Sequence, residues 1–241
     1  MGLAGYTTPQ LTHPRVTRAL EALHRNKSYV PNVKPAVPMG ILRQVIINLD
    51  KSQEHAQVRA ALLIQFYGAL RKSEVTPPSV NRFNHTCHLT RGDACVREGL
   101  LQLTIKAAKN MQRTDQRRTI TLQSSDDRDF CVVTALQQAT RDPPTASSTD
   151  PLLMFKDRAP VPVTFIQSVW ESQLCELGLR PNAFTLHGLR TAAATEAYNS
   201  GIPELDIQKY GGWKSNVHRQ YIRKADTRRL NKTLIKCLRR P

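Results

Sequence analysis

The chain of 241 residues carries 35 Lys and Arg against 19 Asp and Glu, a formal net charge of +16. Hydrophobic residues make up 40% and charged residues 22%, enough for one domain with a real core and a small appendage. No stretch approaches the ~18 consecutive apolar residues of a membrane span, and Met1 to Gln10 lacks the basic-then-apolar order of a secretory signal. An intracellular protein without a membrane partner is expected, nuclear if the host is eukaryotic.

The positive charge is spread over Arg15 to Lys34, Lys106 to Arg118 and Lys209 to Arg240. Charge of this size and spread is the footprint of a polyanion binder, although a solvated basic surface has the same composition. The five cysteines are odd in number and form no CxxC pair, which fits free thiols in a reducing compartment. His85, Cys87, His88 and Cys95 cluster without the spacing of a usual zinc site. Neither a metal nor a cofactor is expected.

In chain order, residues 12–26 read as a short basic helix, with Val16, Leu20 and Leu23 at helical spacing. Prolines at 31, 35 and 38 then make a stiff, extended linker. Leu42, Val45, Ile46 and Leu49 form the apolar stripe of a first main helix. A second runs from about Ser52 to Ala69, and Pro77-Pro78 forbids a long helix beyond it. Residues 86–123 change character. Leu-Gln-Leu-Thr-Ile at 101–105 and Thr-Ile-Thr-Leu at 119–122 alternate with period two, as strands of a small antiparallel sheet do. Lys106 to Arg118 between them is a basic hairpin tip. A helix is expected at about 126–139, and Arg141 to Pro151 is a loop by composition. Thr164 and Gln167 have the spacing of a capping box, opening a helix that Gly178 stops. Further helices are expected at about 186–199, at Leu205 to Tyr210 after Pro203, and from Thr227 with Leu230, Leu234 and Leu238 on one face. The fold class is α+β, mainly helical with one small antiparallel sheet.

Three patches carry candidate chemistry: Arg71-Lys-Ser-Glu74 at a helix end, His187-Gly-Leu-Arg190 on a helix, and Gly211-Gly-Trp213 followed by Tyr221. His187 and Arg190 lie three apart and share a helix face. Two arginines, a histidine and a tyrosine without an acidic metal cluster suggest phosphate chemistry that needs no metal. Each patch alone has a bland explanation, since an HxxR is commonly a solvated face and Trp213 could be a packing residue.

Taken together and in this order, the residues resemble the tyrosine recombinases, the phage integrase family. That family's pattern is an Arg with Glu or Asp three later, a hairpin Lys, HxxR, His or Trp, then Tyr. Arg71 and Glu74 match the first element, Lys109 the hairpin lysine, His187 and Arg190 the third, Trp213 the fourth and Tyr221 the last. The phrasing GGWKSNVHRQYIRK is similar to recombinases of DIRS-like and Crypton mobile elements. Lys106 is an alternative to Lys109, and Tyr198 and Tyr210 are rivals of Tyr221 that lack its spacing from Trp213.

The resemblance implies the recombinase catalytic-domain fold at residues 31–241, with residues 1–30 a remnant of the N-terminal core-binding domain. It implies that double-stranded DNA is the partner and that the chain acts as a homo-oligomer, a tetramer on DNA. Tyr221 would form a 3′-phosphotyrosine without a cofactor. Arg71 and Arg190 would hold the phosphate oxygens, and His187 would transfer a proton at the attacking oxygen. Trp213 would donate its indole N–H, Lys109 would protonate the leaving 5′-oxygen, and Glu74 would support. Two alternatives stay open: a DNA-binding protein derived from a mobile-element recombinase, and a type IB topoisomerase-like activity.

Overall fold

The computed structural model describes Arg18 and residues 35–106, 117–141, 147–213 and 216–222, with Val217 described by its backbone alone. The chain divides into two units, Met1–Lys34 and Pro35–Pro241. Apart from Arg18, which is helical and exposed, the helix expected at 12–26 lies outside the described residues. So do Lys109 with most of the hairpin tip, and the helix expected from Thr227.

In the second unit, the stripe Leu42, Val45, Ile46 and Leu49 is buried along α1 (Met39–Asn48) and its C-cap. Ser52 starts α2 (Gln53–Tyr67) by accepting the amide of His55 at 3.2 Å, a standard N-cap. This helix buries every side chain from Ala56 to Phe66 except Arg59. A helix apolar around its whole circumference belongs at the centre of a core. Its two buried glutamines find backbone partners: Gln57 donates to Ala139 O at 2.6 Å and Gln65 to Leu186 O.

The second helix stops two residues earlier than expected. Ala69 takes a left-handed conformation, φ +46, and Leu70 N–H turns back onto Gln65 O at 2.9 Å, closing the helix as such residues do. Arg71 then caps the short α3 (Lys72–Val75).

The sheet is a meander of order β1-β2-β3. The strands are β1 (Ala94–Arg97), β2 (Leu100–Ile105) and β3 (Arg118–Gln123). Leu103 pairs with Ala94 on one side and Ile120 on the other, and Ile105 pairs with Arg118. Leu101, Leu103, Ile105, Ile120 and Leu122 make its buried face, period two as expected. The extra strand β1 joins β2 through Glu98 and Gly99, both at positive φ, the signature of a two-residue hairpin.

Four α-helices follow the sheet among the described residues. The helix expected at 126–139 is shorter, because a 3-10 turn at Arg128–Phe130 precedes α4 (Val132–Ala139). The capping box at Thr164 is not formed. Pro162 is the N-cap of α5 (Val163–Glu176), so Thr164 lies inside the helix, exposed, and Gln167 pairs with Glu171 instead at 2.8 Å. Gly178 ends that helix at φ +73, as expected. Then come α6 (His187–Asn199), α7 (Glu204–Gly211) and a 3-10 turn at Asn216–Gln220. Around α2 pack α4, α5 and α6, and a second small apolar cluster of Ala69, Ala194, Ile207, Trp213 and Ile222 forms beyond its C-terminal end.

Candidate active site

The site begins where α2 ends. As N-cap of α3, Arg71 donates its amide to Glu74 Oε2 at 2.7 Å and its Nη1 to Glu74 Oε1 at 2.9 Å. Glu74 therefore orients Arg71 twice. The carboxylate is buried, while Arg71 keeps 20% of its side chain exposed. From the other side, Arg190 Nη1 stands 3.9 Å from Glu74 Oε2. One carboxylate thus lies between two guanidiniums.

Arg190, the fourth residue of α6, is fully buried. Its Nη1 donates to Ala69 O and its Nη2 to Gly211 O at 2.9 Å. The left-handed turn at Ala69 thus closes α2 and also offers Arg190 an acceptor. Burial, the largest influence, pulls the Arg190 pKa down to about 10 against the opposing attraction of Glu74; at neutral pH it stays charged. Its Cζ lies 4.1 Å from the centre of the Trp213 ring and 5.5 Å from that of Tyr221, inside cation–π range.

Trp213 is aimed by the two glycines before it. Gly212, at φ +68, ends α7 with its N–H on Lys209 O and the Trp213 N–H on Gln208 O, both at 3.0 Å, a Schellman ending. At Gly211 a Cβ would stand 1.7 Å from the indole, so only glycine lets the ring fold back against the helix end. The indole is buried. Neither Trp213 Nε1 nor Arg190 Nε has a hydrogen-bond partner among the described residues.

Tyr221 follows the 3-10 turn, its N–H on His218 O at 2.9 Å and its carbonyl accepting from Thr195 Oγ1 at 3.1 Å. Half-buried, its ring lies 5.2 Å from that of Trp213 and 5.5 Å from that of His187. Glu204, in the first turn of α7, braces the approach to it: Arg219 Nε donates to Glu204 Oε2 at 2.8 Å and His218 Nε2 lies 3.7 Å from the same atom. The hydrogen bond from Arg219 leads in holding the Glu204 carboxyl below its usual range, with the nearby Arg219 and His218 charges adding to it.

Of the expected set, Arg71, Glu74, His187, Arg190, Trp213 and Tyr221 come together here. Lys109 lies outside the described residues. Lys106 is engaged at the root of the hairpin, with Asp93 at 2.6 Å, His85 O at 2.8 Å and Thr90 Oγ1 at 3.3 Å. An ammonium has three donors, and these three oxygens match them. Tyr210 donates its hydroxyl to Tyr67 O, and Tyr198 packs on the second apolar cluster. Two residues at the site have no sequence signal of their own. Arg118 donates to Tyr210 O at 2.6 Å, and buried His218 lies with its ring 6.4 Å from that of Trp213. His218 sits three before Tyr221, a spacing a reader could test; Arg118 is one of a run of basic residues.

Among the described residues, no group of three or more His, Cys, Asp or Glu side chains could hold a metal ion, and no helix is long and apolar enough to cross a membrane.

The family profile described as Phage integrase family matches residues 42–228. No curated protein matches the chain. Among solved structures, the XerH site-specific recombinase bound to palindromic difH substrate superposes with a TM-score of 0.62 at 19% identity, over 87% of this chain and 55% of that one. XerA recombinase gives 0.59 at 16% identity, over 88% and 66%. A lambda integrase (75–356) dimer bound to a COC′ core site gives 0.56 at 13%, over 88% and 72%. At such identities the likeness is one of fold, and the chain spans 55% of the XerH chain and 66% of the XerA chain. With the family profile covering most of the described domain and the recombinase fold around these six side chains, the chain belongs to the phage integrase family, the tyrosine recombinases.

Proposed function

We propose that the chain breaks and rejoins double-stranded DNA through a 3′-phosphotyrosine at Tyr221. The observation that carries this reading is the convergence on one another of Arg71, Arg190, His187, Trp213 and the Tyr221 phenol, with two buried donors, Trp213 Nε1 and Arg190 Nε, lacking an acceptor among the described residues. A buried donor without a partner costs about 1–3 kcal/mol, and a catalytic role is one explanation for such an exception. A phosphodiester supplies acceptor oxygens of the right charge.

The Tyr221 oxygen attacks phosphorus as the bond to the 5′-oxygen breaks. The phenolic proton passes to His187, and Lys109 supplies the proton that the 5′-oxygen gains. Arg71 and Arg190 stabilise the charge that develops on the non-bridging oxygens, and Glu74 holds Arg71 in place. Covalent storage of the phosphoester lets the strand be rejoined by the reverse step. Lys109 is the hairpin lysine of this reading because Lys106 is already committed to Asp93, His85 O and Thr90. By likeness to the lambda integrase dimer bound to a COC′ core site, we take the active form on DNA to be a homo-oligomer.

The second reading, a DNA-binding protein without the covalent step, draws on the sealed state of Arg190, which is fully buried under Trp213 and Tyr221. A library of nicked duplexes with randomised sequence separates the two. The first expects a denaturant-resistant protein–DNA adduct mapped to Tyr221 and lost in Tyr221→Phe; DNA binding without any adduct favours the second. Relaxation of supercoils without preferred sites would instead indicate a topoisomerase-like activity.

A further inference from the structure

The turn that carries Trp213 is gripped by two guanidiniums, and only one of them belongs to the family pattern. Arg190 takes Gly211 O at 2.9 Å. Arg118, at the first position of β3, takes the preceding carbonyl, Tyr210 O, at 2.6 Å. The Arg118 side chain also lies across the face of Gly212: a Cβ there would stand 2.7 Å from its Nη1 and 3.1 Å from its Cζ. Arg118 has no carboxylate within ion-pair distance in the described structure. Its electrostatic neighbours are Glu74, Arg71 and Tyr210, and burial is the main influence lowering its pKa. A partly buried guanidinium without a paired carboxylate is costly unless its donors find other acceptors. Here the acceptor is Tyr210 O.

We propose that Arg118 is a positioning residue that ties the Tyr210–Trp213 turn, and with it the indole over Arg190, to the first residue of β3. The tie has a geometric consequence. One side chain thus spans from the first residue of β3 to the end of α7 and sets the two relative to each other. A planar guanidinium suits this place because it donates in plane to a carbonyl and presents a flat face to a glycine. The proposal rests on the reading of Trp213, Arg190 and Tyr221 as one site.

Acrylamide quenching of Trp213 in the full chain tests it, with the contribution of Trp170 removed by subtracting the spectrum of Trp213→Phe. Arg118→Met, which keeps bulk but no donor, is expected to raise the quenching constant of Trp213 at least threefold while the far-UV melting transition stays cooperative. Arg118→Lys, which keeps the charge and a donor group, is expected to recover most of the shielding. On a nicked DNA substrate, Arg118→Met is expected to slow adduct formation by about 100-fold, the size of effect seen when reacting groups shift by about an ångström, with the noncovalent Kd changed less than threefold. Unchanged quenching in Arg118→Met overturns the proposal, and so does raised quenching with an unchanged cleavage rate. If Arg118→Met does not fold, Arg118→Gln takes its place under the same criteria. If the parent chain itself forms no adduct, the proposed function fails, and the quenching comparison alone decides the role of Arg118.

Discussion

At the scale of single residues, the site turns on Glu74. Its carboxylate is the counter-charge to Arg71 and lies 3.9 Å from Arg190. Removing one partner of a buried pair leaves the other charge uncompensated, which costs about 3 kcal/mol or more. Glu74→Ala is therefore expected to lose about that much stability in urea unfolding; a loss under ~0.5 kcal/mol, the range of an ordinary surface change, would remove Glu74 from this role. The order Arg71, Glu74, His187, Arg190, Trp213 and Tyr221 was legible in the sequence because it follows the residue types and spacing of the family pattern. The acceptors of Arg190 were not legible. They are the backbone carbonyls of Ala69 and Gly211, and a carbonyl has no letter in the sequence. Arg118 was hidden for another reason: in a run of basic residues, nothing marks the one that turns inward.

At the scale of elements, helices read well from periodicity and poorly from capping letters. Ser52 caps α2 through the His55 amide, whereas Thr164 sits one turn position inside α5 because the proline before Val163 already starts it. Ser52→Ala is expected to cost about 1 kcal/mol, and Thr164→Ala less than ~0.5 kcal/mol; equal losses in thermal melting would show that both act as caps. Strand β1 escaped notice because Ala-Cys-Val-Arg is short and only half covered, with burial alternating between partial and exposed.

The 3-10 turn before Tyr221 carries a pH prediction. The Glu204 carboxyl is held below its usual range, first by the hydrogen bond from Arg219. A group whose folded pKa is depressed stabilises at pH above its unfolded value and loses that contribution as pH falls through the folded value. The turn is therefore expected to loosen on acidification below the ordinary glutamate range, seen as loss of near-UV circular dichroism from the aromatic cluster. Glu204→Gln should show the loosened signal already at neutral pH; an identical titration in both proteins would rule the brace out.

At the scale of the whole molecule, the net charge of +16 gives the proposed DNA binding a salt dependence. If about six phosphates are neutralised, the logarithm of the binding constant falls with the logarithm of salt concentration with a slope of about −5. A slope near zero in a fluorescence-anisotropy titration would mean that the basic surface does not engage the backbone.

The burial of α2 has its own consequence for how the protein opens. A helix walled in by α4, α5 and α6, with Gln57 and Gln65 tied to backbone on two sides, exposes its amides only when those layers come apart together. Its peptide hydrogens from Val58 to Ile64 should therefore be the last in the molecule to be replaced by deuterium, and should all be replaced at one rate, that of global unfolding.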